Sequence, residues 1–189
     1  MNKKLKIVVN APVVIGFVAI MFAATLSGML TGGYSTKLLF QTWHSSLRTP
    51  LTYLRFFTHV FGHTGWSHFM GNAAYILLLG PMMEEKYGSS AMIKVIVITA
   101  LVTGVVNYIF FPGVALCGAS GVVFSFIILT SFTGFGAGEI PLTFILIAVI
   151  FIGQQIYEGA ILRDNVSQFS HIIGGIVGAV IGYNWNRKR

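Results

Sequence analysis

Long apolar segments separated by short polar ones dominate the pattern of this 189-residue chain. Neither the segment from Ile7 to Thr36 nor the segment from Val95 to Gly138 contains an Asp, Glu, Lys or Arg. A helix that crosses a bilayer needs roughly 20 consecutive apolar residues. The pattern therefore predicts six membrane-spanning helices, at approximately residues 13–30, 67–83, 91–110, 119–132, 141–157 and 169–185.

Most connections between these segments are predicted to be short turns. Charged residues are predicted to end the second helix after Met83, and residues 158–168 are predicted to form a polar loop. The fourth segment, 119–132, is short, so its first residues are expected to lie below the membrane surface.

The first connection, residues 34–64, differs from the others in its length and its many aromatic residues. Aromatic side chains favour the bilayer interface. We therefore expect this segment, called the first loop below, to lie partly in the membrane. No internal repeat or linker divides the chain, so residues 1–189 are predicted to form one domain.

The composition supports the same fold class. Hydrophobic residues make up 55% of the chain and charged residues 9%, and the mean hydropathy is +0.80. A soluble domain carries about 25% charged residues. We therefore predict an all-α integral membrane protein. The single cysteine, Cys117, excludes an intrachain disulfide and is interpreted as a packing residue.

The net charge of +7 is concentrated at the two ends of the chain, in Lys3, Lys4, Lys6, Arg187, Lys188 and Arg189. Basic residues that flank membrane spans favour the cytoplasmic side. This placement predicts cytoplasmic termini, which agrees with an even number of spans, and gives no indication of a nucleic-acid partner. The apolar run after Lys6 is longer than the roughly 7–15 residues of a signal peptide. It is therefore interpreted as a retained span.

Gly118-Ala119-Ser120-Gly121 lies within the second charge-free segment. Small residues there are consistent with a tight helix crossing, or Ser120 is a nucleophile. A serine hydroxyl needs a neighbouring base, and imidazole titrates in the required range. His171, in the last apolar segment, is the candidate base, although it could instead be a lone polar residue that hydrogen-bonds to another helix.

Glycine spacing links these two residues. Three glycines lie on one helical face after His171: Gly174, Gly178 and Gly182. On the fourth segment, Gly121 and Ser125 form a small pair one turn apart. The two smooth faces predict close packing of the fourth and sixth helices, which would bring the Ser120 hydroxyl near His171.

His68 and Asn72 are one helical turn apart and therefore face the same direction. Acyl transfer needs preorganised hydrogen-bond donors for the developing oxyanion. The two side chains and the Ser120 N–H could supply them, or His68 and Asn72 could form a polar clamp between helices. All acidic residues lie near predicted span ends: Glu84, Glu85, Glu139, Glu158 and Asp164. The sequence thus favours a Ser-His dyad over a triad.

The histidines of the first loop could suggest a metal site with His68. His59, His63 and His68 have no neighbouring Cys or carboxylate and no His-Glu-x-x-His motif. We therefore predict no metal and no cofactor, and we interpret Arg55, His59 and His63 as structural residues of the loop.

Taken together, these motifs resemble the rhomboid family of intramembrane serine proteases over nearly the whole chain. The segments that carry the resemblance are Arg55-Phe56-Phe57-Thr58-His59 with His63, His68 and Asn72; Gly80 to Gly88 with Glu84; Gly118-Ala119-Ser120-Gly121; and Ser170-His171-Ile172-Ile173-Gly174-Gly175.

The resemblance implies a six-helix rhomboid bundle in which Ser120 is the nucleophile and His171 the general base and acid. His68, Asn72 and the Ser120 N–H would be the oxyanion donors. The expected partners are membrane lipid and membrane proteins with a transmembrane segment that can be cut near the outer face. The expected location is the bacterial plasma (inner) membrane, and the chain looks like a minimal family member.

Two positions depart from the family pattern. Many members have Trp where this chain has Leu54, and Tyr where it has Phe124. The Tyr is expected to stack on the catalytic histidine, and Phe124 keeps that ring. The alternatives are a catalytically inactive relative, which intact Ser120 and His171 disfavour, and a transporter, whose typical repeats are not visible.

Overall fold

The computed structural model describes residue 5 and residues 7–133, 139–162 and 165–187, and the regular structure in these ranges is helical. The elements are α1 (Pro12–Leu30), α2 (Tyr34–Leu39), α3 (Pro50–Thr58), a 3-10 turn (His59–Phe61), α4 (Trp66–Tyr87), α5 (Ser89–Phe110), α6 (Ser120–Thr130), α7 (Leu142–Leu162) and α8 (Asn165–Arg187). The prediction of an all-α protein is therefore confirmed.

Six of these helices, α1 and α4 to α8, lie on the six predicted segments. Within the described ranges, α1 and α5 are long and apolar enough to cross a bilayer by length and composition alone. At 11 residues, α6 is about 16 Å long at 1.5 Å per residue. This is about half of the roughly 30 Å of a bilayer's hydrocarbon core.

Two predicted boundaries are wrong. Helix α4 continues through its charged residues to Tyr87 and ends at Gly88, whose φ is 85°. The predicted loop 158–168 is helical at residues 158–162 and 165–168. Glu, Lys and Arg are good helix formers, so a polar segment ends an apolar run without ending the helix. A glycine in the left-handed region does end it.

The first loop contains regular structure of its own. Helices α2 and α3 and the 3-10 turn all lie between residues 34 and 64. Thr42 and Leu116 exchange two backbone hydrogen bonds, with N···O distances of 2.9 and 2.8 Å. The loop is thereby joined to the segment that precedes α6.

The hydrophobic core lies among α1, α4, α5 and α6. Its fully buried members include Met21, Ile76, Met92 and Phe126. The outer surface is also apolar, with several large side chains mostly exposed: Leu78 (72%), Phe110 (65%) and Ile150 (68%). Soluble monomers rarely expose apolar surface on this scale.

Glu84 joins three helices at one end of the bundle. Its carboxylate accepts hydrogen bonds from the backbone N–H groups of Val13 (3.0 Å) and Val14 (2.9 Å) and from the Ser89 hydroxyl (2.6 Å). The first N–H groups of a helix have no acceptor within the helix. Glu84 supplies it for α1 and also holds the start of α5.

Helices α6 and α8 pack backbone against backbone, as the glycine spacing predicts. A Cβ on Gly174 would collide with the backbone of Gly121, and one on Gly178 would lie 2.9 Å from the Ser125 Cα. A Cβ on Gly182 would overlap the Phe132 ring. The predicted close approach of these two helices is confirmed, and it positions the candidate site.

Candidate active site

Ser120 is the first residue of α6 and is half-buried. It follows a tight turn in which Gly118 has φ = 127°, a conformation that favours glycine. The limited space also requires glycine at this position, because a Cβ on Gly118 would lie 2.8 Å from the His68 ring. The turn therefore brings the backbone before Ser120 directly against α4.

His171 lies in the second turn of α8 and packs against α6. Its ring centroid is 4.4 Å from that of Phe124, with an angle of 39° between the rings. Phe124 is one helical turn after Ser120, so both project from the same side of α6. A Cβ on Gly121 would also lie 3.6 Å from the Ser170 carbonyl oxygen. The Ser120 end of α6 and the His171 turn of α8 are therefore neighbours, and the expected ring contact of Phe124 is confirmed.

His68 and Asn72 both border the turn before Ser120. A Cβ on Gly118 would lie 2.8 Å from His68 Nε2 and 3.9 Å from Asn72 Nδ2. Asn72 Nδ2 is buried and has no hydrogen-bond partner among the described residues. A buried donor without a partner is unfavourable by about 1–3 kcal/mol. Such an amide is well suited to a ligand oxygen that arrives during a reaction.

The orientation of His68 is set by its other nitrogen. His68 Nδ1 lies 3.3 Å from the Thr64 hydroxyl oxygen. When Nδ1 accepts a hydrogen bond from that hydroxyl, Nε2 carries the ring hydrogen. His68 then presents a donor at the nitrogen nearest Gly118.

The first loop also contacts the turn, which the sequence reasoning missed. The Gly118 N–H donates to the His59 carbonyl oxygen at 2.9 Å, and the Ala119 N–H points to His63 Nε2 at 3.5 Å. Burial lowers the pKa of both His59 and His63 to about 4, and nearby His68 lowers that of His63 further. Both rings are neutral at neutral pH. The H-x-x-x-H spacing of His59 and His63 marks two histidines of the first loop, but it does not identify the Ala119 N–H as a partner.

Arg55, the neighbour of Leu54, contacts a tryptophan from another part of the first loop. Leu54 is exposed, whereas the guanidinium of the adjacent Arg55 lies over the Trp43 ring at 4.0 Å. Arg55 Nε also donates to the Leu38 carbonyl oxygen at 2.8 Å. The loop thus has an Arg–Trp pair whose tryptophan comes from another part of the loop.

A cavity of about 400 Å³ lies between the end of α1, the first loop and the segment before Ser120. Polar and small residues line it, including Gly32, Gln41, Thr64 and Cys117. Cys117 therefore lines a cavity next to the turn. Among the residues that the structure describes, no group of three or more His, Cys, Asp or Glu side chains is arranged to hold a metal ion.

Comparison with known proteins gives one consistent result. A family model described as the Rhomboid domain matches residues 50–187. Rhomboid-related protein 1 of Caenorhabditis elegans is 28% identical over 138 residues, which cover 68% of this chain and 39% of the worm protein. Rhomboid protease GlpG of Salmonella newport is 32% identical over 93 residues, which cover 49% of this chain and 33% of that protein. The matched region is thus well under half of each relative's length.

Proposed function

This chain belongs to the rhomboid family, and we propose that it is an intramembrane serine endopeptidase. Rhomboid proteins are embedded in membranes, and α1 and α5 have the length and hydropathy for that environment. The proposed substrates are other membrane proteins with a transmembrane segment that is strained or poor in helix. A peptide bond held within a stable helix is shielded from attack.

In the proposed reaction, the Ser120 hydroxyl attacks the carbonyl carbon of the scissile bond while His171 accepts its proton. His171 then donates that proton to the leaving amine, which leaves an acyl-enzyme. Water, deprotonated by His171, attacks the acyl carbon. The ester bond to Ser120 then breaks, His171 returns the proton to the Ser120 oxygen, and the carboxylic acid product leaves. The contact of His171 with Phe124 supports this assignment, because it holds the imidazole on the side of α6 from which Ser120 projects.

The proposed oxyanion donors are His68 Nε2, Asn72 Nδ2 and the Ser120 N–H. Preorganised donors aimed at the developing charge are among the largest contributions to acyl-transfer catalysis. Two observations support the set. The Asn72 amide is buried without a partner among the described residues, and the Thr64 hydroxyl lies where it can donate to His68 Nδ1, which would leave the ring hydrogen on Nε2.

Hydrolysis also needs water at a nucleophile that is proposed to lie below the membrane surface. The short α6 supports the depth, because a helix of about 16 Å that starts at Ser120 cannot reach both faces of a roughly 30 Å core. The cavity beside Cys117 supports the water supply, since polar side chains form part of its lining and its volume of about 400 Å³ exceeds that of several water molecules.

We further propose six spans in one domain of residues 1–189, with both termini on the cytoplasmic side of a bacterial plasma (inner) membrane. The basic residues at both ends of the chain support this orientation. Lipid would contact the exposed apolar faces of the helices, and no cofactor, metal or nucleic acid takes part.

The packing of Gly174 on Gly121 carries the proposal, because it joins two motifs that are distant in sequence. The test is labelling of purified, detergent-solubilised protein with a serine-directed fluorophosphonate or isocoumarin probe. Wild type should be labelled, and Ser120→Ala and His171→Ala should not. Ser131→Ala, a serine just beyond the other end of α6, is the matched control and should be labelled normally.

Labelling of folded Ser120→Ala at the wild-type level would exclude the mechanism. If wild type, Ser120→Ala and His171→Ala were all folded and all failed to react, the proposed function would change from protease to non-catalytic binding of membrane proteins. Asn72→Ala should lower the acylation rate by roughly 10–1,000-fold if its amide donates to the oxyanion. An unchanged rate would make Asn72 a structural clamp.

A further inference from the structure

Two successive backbone N–H groups of the turn before Ser120 point towards the first loop. The Gly118 N–H donates to the His59 carbonyl oxygen at 2.9 Å, and the Ala119 N–H points to His63 Nε2 at 3.5 Å. The next N–H is that of Ser120, at the start of α6, where the helix itself provides no acceptor. The first loop thus binds two of three consecutive N–H groups, and the third, that of Ser120, has no acceptor within α6.

The surroundings of His63 select one neutral tautomer. His63 Nδ1 lies 3.2 Å from the Phe61 carbonyl oxygen and 3.3 Å from the Thr25 hydroxyl oxygen. The Thr25 hydroxyl itself donates to the Met21 carbonyl at 2.8 Å. A carbonyl oxygen only accepts, so Nδ1 carries the ring hydrogen. His63 Nε2 therefore has a free lone pair, and it faces the Ala119 N–H.

The same ring also supports an oxyanion donor. The ring centroids of His63 and His68 are 4.9 Å apart, and the rings meet edge to face at 77°. His63 is buried, at 3% exposure, and is tied to α1 through Thr25. It can therefore hold the turn and His68 in one fixed arrangement.

We propose that His63 is a positioning residue for the oxyanion hole. Its Nε2 lone pair orients the peptide of Ala119, so that the N–H of Ser120 faces the substrate carbonyl oxygen, and its ring edge fixes the imidazole of His68. The proposal rests on the proposed function, because it assigns how the oxyanion site of that reaction is held. It predicts an effect on the rate of acylation and not on probe affinity.

The experiment measures isocoumarin acylation of the full chain in detergent, giving the maximal rate constant, the half-saturating concentration and the final extent. His63→Leu should lower the maximal rate constant by about 10–100-fold, with the half-saturating concentration little changed. The amide oxygen of His63→Gln can reach the place of Nε2, and this variant should stay within about fivefold of wild type. The shorter His63→Asn cannot reach it and should behave like His63→Leu.

A merely structural role would have a different signature. It would lower the melting temperature and the final extent of labelling, which counts competent molecules, but not the rate constant of those that react. Thr58→Val is the matched control, because it removes a hydrogen bond within the first loop, from the Thr58 hydroxyl to the Leu39 carbonyl, without touching the turn. Its rate constant should equal that of wild type.

A wild-type rate constant in His63→Leu would overturn the assignment. If that variant did not fold, equal rate constants for His63→Gln and His63→Asn would overturn it instead. Absence of Ser120-dependent acylation in wild type would refute the proposed function itself, and the assignment with it. Normal wild-type acylation with no dependence on residue 63 would refute the assignment alone.

Discussion

Two contacts position Ser120 by opposite means. One is between α6 and α8, and the other is between the first loop and the turn before Ser120. Between α6 and α8, missing side chains allow Gly174 to meet the backbone of Gly121. Between the first loop and the turn, side chains and backbone carbonyls supply hydrogen bonds, as in the contact of His63 with the Ala119 N–H. The first contact sets distance, and the second sets orientation.

The two contacts also differ in how visible they are in sequence. Small residues at helical spacing predict a close approach without knowledge of the partner. A buried Arg or His can bond to a backbone carbonyl, and every residue carries that acceptor. Its partner is decided by the path of the chain, so the contacts of Arg55 and His63 could not be predicted from spacing.

The largest loss of activity is expected when a side chain blocks the glycine contact between α6 and α8. Gly174→Val would place a side chain in the backbone of Gly121 and force α6 and α8 apart. Displacement of Ser120 from His171 by about 1 Å should reduce acylation by at least about 100-fold. The measurement is isocoumarin acylation per folded molecule.

Gly16→Val is the control for that variant, because a Cβ on Gly16 meets nothing within 4 Å. It should retain wild-type acylation. Wild-type acylation in Gly174→Val would show that the separation of the two helices does not matter for the reaction.

Acid should destabilise the first loop, which contains the buried His59 and His63. Burial lowers the pKa of His59 and His63 from 6.5 to about 4. The unfolded chain therefore binds more protons than the folded chain between these values, and the stabilising contribution of neutral histidine, full above pH 6.5, is lost as the pH falls towards 4. The melting temperature should fall by several degrees between pH 7 and pH 5.

Histidine variants separate this effect from that of carboxylates. The pH dependence of the melting temperature should become shallower in His63→Gln and should be unchanged in His44→Gln, where the histidine is exposed. An equally steep dependence in His63→Gln would assign the acid effect to other groups.

Arg55→Lys tests the loop at a site farther from the serine. Lysine cannot both lie flat on the Trp43 ring and donate from the position of Nε to the Leu38 carbonyl. The expected loss is about 1–2 kcal/mol of unfolding free energy, from one charged hydrogen bond and one cation–π contact. Thermal unfolding in detergent measures it, with the exposed Arg48→Lys as the control.

The acylation rate constant per labelled molecule should not change in Arg55→Lys, since Arg55 orients no group of the turn. A lower rate constant with an unchanged melting temperature would contradict this division between stability and orientation.

The smallest effect is expected at the ring that packs on the proposed base. Phe124→Tyr keeps the ring that lies 4.4 Å from the His171 ring. It should change the acylation rate constant by less than about threefold, since aromatic pairs contribute only about 0.5–1.5 kcal/mol beyond their area. Phe124→Leu, which removes the ring, should have a larger effect. Equal rates for the two variants would show that the ring does not orient His171.

The local sequence pattern determined the helical class of this protein and part of its helix packing. Apolar run length predicted the helical class, and glycine spacing predicted that α6 and α8 would pack closely, which placed the Ser120 and His171 turns side by side. The i, i+4 spacing of His68 and Asn72 predicted that both face one way, and both border Gly118. These features depend on periodicity within one helix, which a sequence contains.

Only the tertiary structure decided the remaining features. Charged residues did not end α4, because propensity and packing continued the helix to Gly88. Glu84 holds the start of α1, Arg55 pairs with Trp43, and His63 faces the Ala119 N–H. Each of these contacts joins residues that are not related by helical spacing. Two of them involve backbone N–H groups, which are the same whatever the side chain. Helix periodicity is local and can be read in the sequence, whereas the partner of a buried polar group is fixed only when the chain has folded around it.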